Sequence, residues 1–243
     1  MSDYGRRGGA GHGVWPVLLA GVLAAAVIIT TVAAVVLSRG NGGGPAPDAA
    51  EPTAAAQNSP MTVLGERSVV PDACAVIRAR LASDLVPAAD RTNMRSPDTS
   101  DRHTECAWAR YGTNGSRQLT VELRALQGAN PSVSATTAAR QRFQTEWRAD
   151  GAGKGLPATQ RVVARKVIVD LGDEAYVTYS SDRVQSLGEA IVNVRVVNVL
   201  ITVHYAGGDV RSGGKGVPLP KDPALPGATA AARQAVAALT AGQ

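Results

Sequence analysis

The hydrophobic pattern of the chain opens with residues 14–37, an apolar segment in which no charged residue occurs. A helix needs about 20 apolar residues to cross roughly 30 Å of hydrocarbon, and this segment is long enough. A cleaved secretory signal has an apolar core of only about 7 to 15 residues and ends at a small-residue cleavage site. The segment therefore predicts an uncleaved signal-anchor, a transmembrane helix that holds the protein in the lipid bilayer.

Basic residues on either side of the span predict its orientation, because Lys and Arg are retained on the cytoplasmic side. Arg6 and Arg7 precede the span, whereas only Arg39 follows it closely. We therefore expect a single-pass protein of the cell membrane, with residues 1–13 as a cytoplasmic tail and the C-terminal part outside the cell.

Residues 38–60 differ in composition, being rich in Gly, Pro and Ala and poor in residues that build a core. Gly makes such a segment flexible and Pro stiffens it. We expect a linker here. One extracytoplasmic domain is expected to follow over residues 61–243, a length that suits a single domain.

Three segments of this domain repeat apolar residues every three or four positions, the spacing of one face of a helix. The first helix is predicted to begin at Asp72, a favourable N-cap residue. The second is predicted to run from Ser132 or Ser134 to about Asp150, and an Ala-rich third helix to span residues 226–240. The apolar positions that define the first two helices are Cys74, Ile77, Leu81 and Leu85, then Ala139, Phe143 and Trp147.

Alternating apolar and polar residues predict strands in the other parts of the domain. A hairpin turn at Asn114 and Gly115 is expected to join the first two strands. The step from Val197 to Asn198 is expected to reverse the chain between the last two strands, with a single long bent strand as the alternative. Such close consecutive strands favour antiparallel pairing. We therefore expect an α+β fold, one antiparallel sheet with its flanking helices mainly on one face. The predicted strands are residues 105–111, 118–126, 161–170, 174–180, 190–196 and 198–205.

The formal net charge of +5 changes this picture little. Residues 1–60 carry three Arg and three acidic residues, so the positive charge belongs to the outer domain, where basic and acidic residues are interleaved. A nucleic-acid site would require a basic stripe with stacking aromatic residues. Most of the seven aromatic residues beyond the linker fall on apolar periodicities instead, so we expect no nucleic-acid partner.

Cys74 and Cys106 are the two cysteines of the chain, and both lie outside the membrane in this topology. An even number of cysteines in an oxidising compartment favours one disulfide bond. One alternative is a metal-bound pair, for which ligands at zinc spacing are missing. The other is a catalytic thiol, for which only His103 offers a nearby base. The disulfide is our prediction.

Motifs for catalysis or cofactor binding are weak. The glycine-rich stretch around Lys154 follows a predicted helix and runs into Pro157, whereas a phosphate-binding loop follows a strand and opens a helix. His204 falls on the polar side of its strand, where we expect an exposed or edge position. No catalytic, metal-binding or cofactor-binding residue is assigned, and no cofactor is expected.

Four motifs of the domain stand out together. They are Asp72-Ala-Cys74 at a helix start, Cys106-Ala-Trp108 at a strand start, Leu171-Gly-Asp-Glu-Ala-Tyr176, and the run from Val194 to Tyr205. These motifs resemble an actinobacterial family of secreted, often lipid-anchored domains of unknown function. The resemblance covers roughly residues 70–239 and implies a disulfide between the matched cysteines, with Trp108 packed beside it. This chain departs from the family by carrying a transmembrane helix instead of a lipidated cysteine.

These features favour a non-catalytic binding or sensing module of the cell envelope, which holds an envelope ligand or a membrane-protein partner. The alternatives are an envelope enzyme with unrecognised residues and a structural protein of envelope assembly. A pocket lined by paired carboxylates would favour the enzyme, whereas a shallow apolar groove beside the sheet would favour binding. The candidate binding residues are His103, Trp108, Asp173, Glu174 and Tyr176, and all but Trp108 are also the candidates for catalysis.

Overall fold

The computed structural model describes residues 65–93, 102–128, 130–211 and 213–241. The expected cytoplasmic tail 1–13, transmembrane helix 14–37 and linker 38–60 lie outside these ranges. Among the helices that are described, none is long and apolar enough to cross a membrane.

An antiparallel sheet of eight strands and three helices make up the described part of the chain, as expected for an α+β fold. The sheet order is β1-β2-β3-β7-β6-β5-β4, and β8 pairs with the end of β7. The strands are β1 (Asp90–Asn93), β2 (His103–Gly112), β3 (Gly115–Ala125), β4 (Gln160–Val167), β5 (Glu174–Asp182), β6 (Leu187–Val196), β7 (Val199–Val210) and β8 (Gly216–Pro218). The helices are α1 (Ala79–Leu85), α2 (Ala135–Gly151) and α3 (Lys221–Ala241).

The two faces of the sheet differ in chemistry because side chains alternate along each strand. On one face, Val121 of β3 lies beside Val203 of β7, and Val203 beside Val192 of β6. One residue along, Thr120 lies beside His204 on the opposite face. The sheet therefore has an apolar face that builds the main core and a polar face.

Helices α1 and α3 cover the apolar face. The small side chains of α3 let it approach the strands closely, and a Cβ atom at Gly227 would lie 3.0 Å from the ring of Tyr205. The residues that α3 buries are Ala224, Gly227, Ala228, Ala231, Ala232, Ala235 and Leu239.

Helix α2 packs on the polar face, so the expectation that the helices lie mainly on one face holds only for α1 and α3. Its N-cap is Ser134, whose hydroxyl accepts the backbone N–H of Thr137 at 3.1 Å. A second, small core forms where Ala139 and Phe143 of α2 meet Tyr176 and Leu200 of the sheet. Tyr176 and Leu200 are apolar positions on a mostly polar face, and packing against them places α2 there.

Some element boundaries differ from the predicted ones. The first helix begins at Ala79, because the Asp72 side chain accepts the N–H of Cys74 and its carbonyl accepts that of Ala75, a turn in place of a helix. The first hairpin pairs Gly112 with Gly115, so its turn lies one residue earlier than predicted. Helix α3 begins at Lys221 and includes Pro226.

The predicted disulfide between Cys74 and Cys106 is present, with Cα atoms 5.0 Å apart. It ties the segment before α1 to strand β2 in the middle of the main core. Trp108 lies two residues along β2 on the same face and belongs to the same buried cluster. Trp108 is only 5% exposed, which removes it from any surface site.

Candidate functional site

A concave surface lined by aromatic residues lies beside α2, where strand β4 ends and the loop to β5 begins. We call it the β4–α2 groove; its volume is about 550 Å³. Ligand sites are typically mostly apolar cavities of about 300 to 1,000 Å³. Its lining residues are Phe143, Gln144, Trp147, Val167, Ile168, Val169, Asp170, Leu171, Gly172, Asp173, Glu174, Ala175 and Tyr176.

Three aromatic rings form the floor of the groove. Tyr176 makes edge contacts with Phe143 and Trp147, with ring centroids 5.2 and 4.8 Å apart. The guanidinium of Arg165 stacks on the Trp147 ring at 3.0 Å from its centroid and donates to the Trp147 carbonyl. Because α2 and β4 are joined through this stack, the floor is preorganised.

The Tyr176 hydroxyl belongs to a partly buried hydrogen-bond chain. It donates to Asp150 Oδ2 at 2.8 Å, and Asn193 Nδ2 donates to the same oxygen at 3.1 Å. Thr202 in turn donates to Asn193 Oδ1 at 2.9 Å. The chain links the end of α2 to three neighbouring strands, β5, β6 and β7.

Burial governs the protonation of this chain. Burial raises the pKa of Asp150, although the hydrogen bond from Tyr176 acts in the opposite direction. Burial and the adjacent Asp150 charge also raise the pKa of Tyr176 well above its ordinary value. Tyr176 therefore stays protonated as a donor, and only 1% of its surface is exposed, which suits a structural role and not proton transfer.

Two carboxylates at the rim of the groove are bound to one buried arginine. Arg195 Nη1 lies 2.9 Å from Asp173 Oδ2, and Arg195 Nε lies 2.6 Å from Glu174 Oε2. Asp173 also accepts the N–H of Val197, at the turn between β6 and β7. Asp173 and Glu174 therefore fasten the start of β5 to that turn, and neither is a free catalytic carboxylate.

The five candidate binding residues do not form one site. Asp173, Glu174 and Tyr176 come together at the β4–α2 groove. His103 lies at the beginning of β2, with Nε2 at 2.7 Å from Glu122 Oε1, and Trp108 is in the core.

Sequence reasoning missed a second polar cluster, on the part of the sheet that α2 leaves open. His204 Nδ1 lies 2.9 Å from Glu189 Oε1, and the amide of Gln160 donates to Ser180 Oγ at 2.7 Å and to Glu189 at 3.4 Å. His204 is on the polar face as predicted and 39% exposed. It lies on the central strand β7, so of the two expected positions, exposed or at an edge, it has the exposed one.

His204 and Glu189 each favour the charged form of the other. Burial alone would lower the pKa of His204, but the hydrogen bond and the charge of Glu189 outweigh it and raise that pKa. Burial would likewise raise the pKa of Glu189, but His204 and Gln160 lower it. The only sign of the His204–Glu189 pair in the sequence is that both residues occupy outward positions on strands. Whether they meet depends on the register of β6 against β7.

The described part of the chain has no group of three or more His, Cys, Asp or Glu residues placed to hold a metal ion. No family model matches the sequence, and neither a curated protein nor a solved structure matches the chain. The resemblance to secreted actinobacterial domains therefore stays a prediction, and function has to be inferred from the groove and the polar face.

Proposed function

We propose that this protein is a membrane-anchored, extracytoplasmic binding module of the cell envelope, and that its ligand or partner occupies the β4–α2 groove. The observation that carries this proposal is a preorganised aromatic groove beside the sheet, in which Asp173 and Glu174 are held by Arg195. An apolar concave surface with a few fixed polar groups is typical of a binding site.

The state of the rim carboxylates favours binding over catalysis. A general acid or base must reach a proton of the substrate, whereas these two side chains hold Arg195, which is 4% exposed. The hydroxyl of Tyr176 donates to Asp150, which is not among the lining residues of the groove. The groove thus offers a surface for recognition, while its two carboxylates and its hydroxyl are already bound to other residues of the protein.

In the proposed topology this groove lies outside the cell. Residues 14–37 serve as the anchor and residues 38–60 as the tether, so a ligand of the envelope or a neighbouring membrane protein is within reach.

A matched pair of photo-crosslinking positions tests the groove. Gln144 and Gln141 are both exposed residues of α2, one turn apart, but only Gln144 lines the groove. We expect a photoreactive amino acid at position 144 of the full-length protein to give adducts in intact cells, and the same residue at 141 to give none. Equal labelling at both positions, or none at either, would exclude the groove as the binding site.

A catalytic alternative rests on the His204–Glu189 pair. A histidine held by a carboxylate is the usual arrangement of a general base, and this one is partly exposed on the polar face. Hydrolase or transferase activity that is lost in both His204→Gln and Glu189→Gln, while Gln144 labelling persists, would identify an envelope enzyme.

A further inference from the structure

Strand β4, which borders the groove, is the last strand of the sheet. In the described residues it pairs with β5 alone. An edge strand presents a row of unpaired N–H and C=O groups that can pair with a further strand. At eight residues, β4 is long enough to act as such a template.

A second cavity, of about 500 Å³, lies on the other side of the same strand end. We call it the α3-side cavity. It shares residues 167–169 with the groove, so the two cavities flank the end of β4 on its two faces. Its lining residues are Lys166, Val167, Ile168, Val169, Val177, Leu225, Pro226, Thr229, Ala230 and Arg233.

We propose that the occupant of the groove is an extended segment of a partner protein that pairs with β4 as an added strand. This inference rests on the proposed binding function and deepens it. Successive side chains of a strand point to opposite faces, so neighbouring residues of the segment enter the two cavities in turn. In strand addition the backbone supplies affinity and the alternate pockets supply specificity.

The chemistry of the two cavities defines the segment. On the groove side, the aromatic floor is extended by Val167 and Val169, which are 57% and 73% exposed, and it accepts an apolar side chain. On the other side, Lys166 and Arg233 are the charged residues of the lining and both are basic, so this cavity accepts an acidic side chain. The segment therefore alternates apolar and acidic residues.

A second copy of this protein is a poor occupant of the same edge. Exposed Arg161, Arg165 and Lys166 lie along β4, so pairing two β4 strands would bring like charges together, which is unfavourable across strands. Basic residues on an edge strand are a common protection against self-pairing. An acidic partner segment turns this repulsion into attraction.

The regular part of the edge is short. A register shift between Val162 and Ala164 interrupts the pairing with β5, and bulges of this kind also protect sheet edges. Beyond it, the inward pairing continues to Ile168, whose N–H donates to Ala175 O at 3.0 Å. Because the N–H groups of a strand alternate in direction, that of Val167 points outward to an added strand.

The test uses the full-length protein in detergent micelles and a synthetic probe peptide of alternating Val and Glu, about as long as the eight residues of β4. The control peptide has the same composition with its Val and Glu residues in two blocks. We expect the alternating peptide to bind, to protect the backbone amide of Val167 from hydrogen exchange and to change the fluorescence of Trp147. Equal binding of both peptides, or binding without protection of β4, would overturn the inference.

Two substitutions sharpen the test. Val167→Pro removes the outward N–H and is tolerated on an edge, whereas Val167→Thr keeps the N–H and the shape. We expect Val167→Pro to weaken peptide binding by about tenfold or more and Val167→Thr to leave it within about threefold. Equal effects of the two would contradict strand addition.

Charge reversal gives a gain of function that misfolding cannot imitate. The double variant Lys166→Glu, Arg233→Glu should lose the Val–Glu peptide and bind a Val–Lys peptide instead. An unchanged preference for the Val–Glu peptide would overturn the inference. So would a concentration-dependent dimer in which the β4 amides are protected from hydrogen exchange without any peptide. If labelling at Gln144 succeeds while these peptide tests fail, the proposed function stands and the strand-addition mode is wrong.

Discussion

One oxygen of Asp173, Oδ2, lies 2.9 Å from Arg195 Nη1 and also accepts the N–H of Val197. Val197 has a φ of +53°, an uncommon conformation for a β-branched residue. The aspartate therefore stabilises the turn between β6 and β7 and holds a buried guanidinium in the same contact.

This contact predicts a difference between two aspartates of one loop. We expect Asp173→Asn to lower the free energy of unfolding by about 1 to 2 kcal/mol, because a charge-assisted contact of Arg195 is weakened. Asp170→Asn, at an exposed position with φ +58° that Asn tolerates, should change it by less than about 0.5 kcal/mol. Urea denaturation of both variants measures the difference, and equal effects would contradict the assigned role.

Gly172, next to this aspartate, gives a second comparison. Its φ is +62°, and a Cβ atom there would lie 2.6 Å from the Arg195 carbonyl oxygen. Gly155 has a φ of +86° but nothing within 4 Å of such an atom. Gly155→Ala should cost about 1 kcal/mol from backbone strain alone, and Gly172→Ala about 1 to 3 kcal/mol more from the clash. Thermal melts at one pH are sufficient to rank the two.

The sequence predicted which face of a strand each side chain occupies, but not which strands lie next to each other in the sheet. Alternation placed Val199, Ile201 and Val203 on one side of β7 and His204 on the other, because the period of a strand needs no knowledge of the fold. The reversal at Val197 was likewise visible, since the flanking strands are adjacent in the chain.

Contacts between distant segments were not predictable in this way. Strand β7 lies between β3 and β6, and no local pattern indicates that β3 is its partner. The Asp150–Tyr176 hydrogen bond joins the end of α2 to β5, two segments that are distant in the sequence. From the sequence alone, a buried Tyr176 could therefore not be distinguished from an exposed Tyr176 that binds a ligand. The apolar stripe of α2 was visible, but the face of the sheet that it covers depends on Tyr176 of β5 and Leu200 of β7 belonging to one cluster.

The disulfide predicts a common effect of two substitutions. Cys74 and Cys106 are 32 positions apart, and closing a loop of that size is worth about 3 to 4 kcal/mol in the chain-entropy account. We expect Cys74→Ser and Cys106→Ser to destabilise the domain by similar amounts, and the double variant to add little, because each change opens the same loop. Denaturation of the reduced wild-type protein is the control. Additive single effects would show that the cysteines act separately.

The Tyr176 hydroxyl predicts a change in both stability and titration. Tyr176→Phe keeps the ring contacts with Phe143 and Trp147 but removes the donor to Asp150. We expect a loss of about 1 to 2 kcal/mol in the free energy of unfolding. The pKa of Asp150 should rise further, because the bond from Tyr176 is the largest of the influences that oppose the effect of burial. Carbon-detected NMR of the Asp150 carboxyl measures this shift, and an unchanged titration would contradict the assignment of that bond.

The His204–Glu189 pair predicts a window of pH in which the polar face is most stable. The raised pKa of His204 means that its contribution is complete below its ordinary value of 6.5 and is lost as pH rises through the folded-state value. The lowered pKa of Glu189 means that its contribution is present above its ordinary value of 4.5 and is lost as pH falls through the folded-state value. Stability relative to Glu189→Gln should therefore be largest between these two limits and decline on both sides. In the same variant the pKa of His204 should fall, because only the charges of Glu122 and Asp150 then oppose the effect of burial. An NMR titration that places this pKa at or above the wild-type value would refute the ion pair.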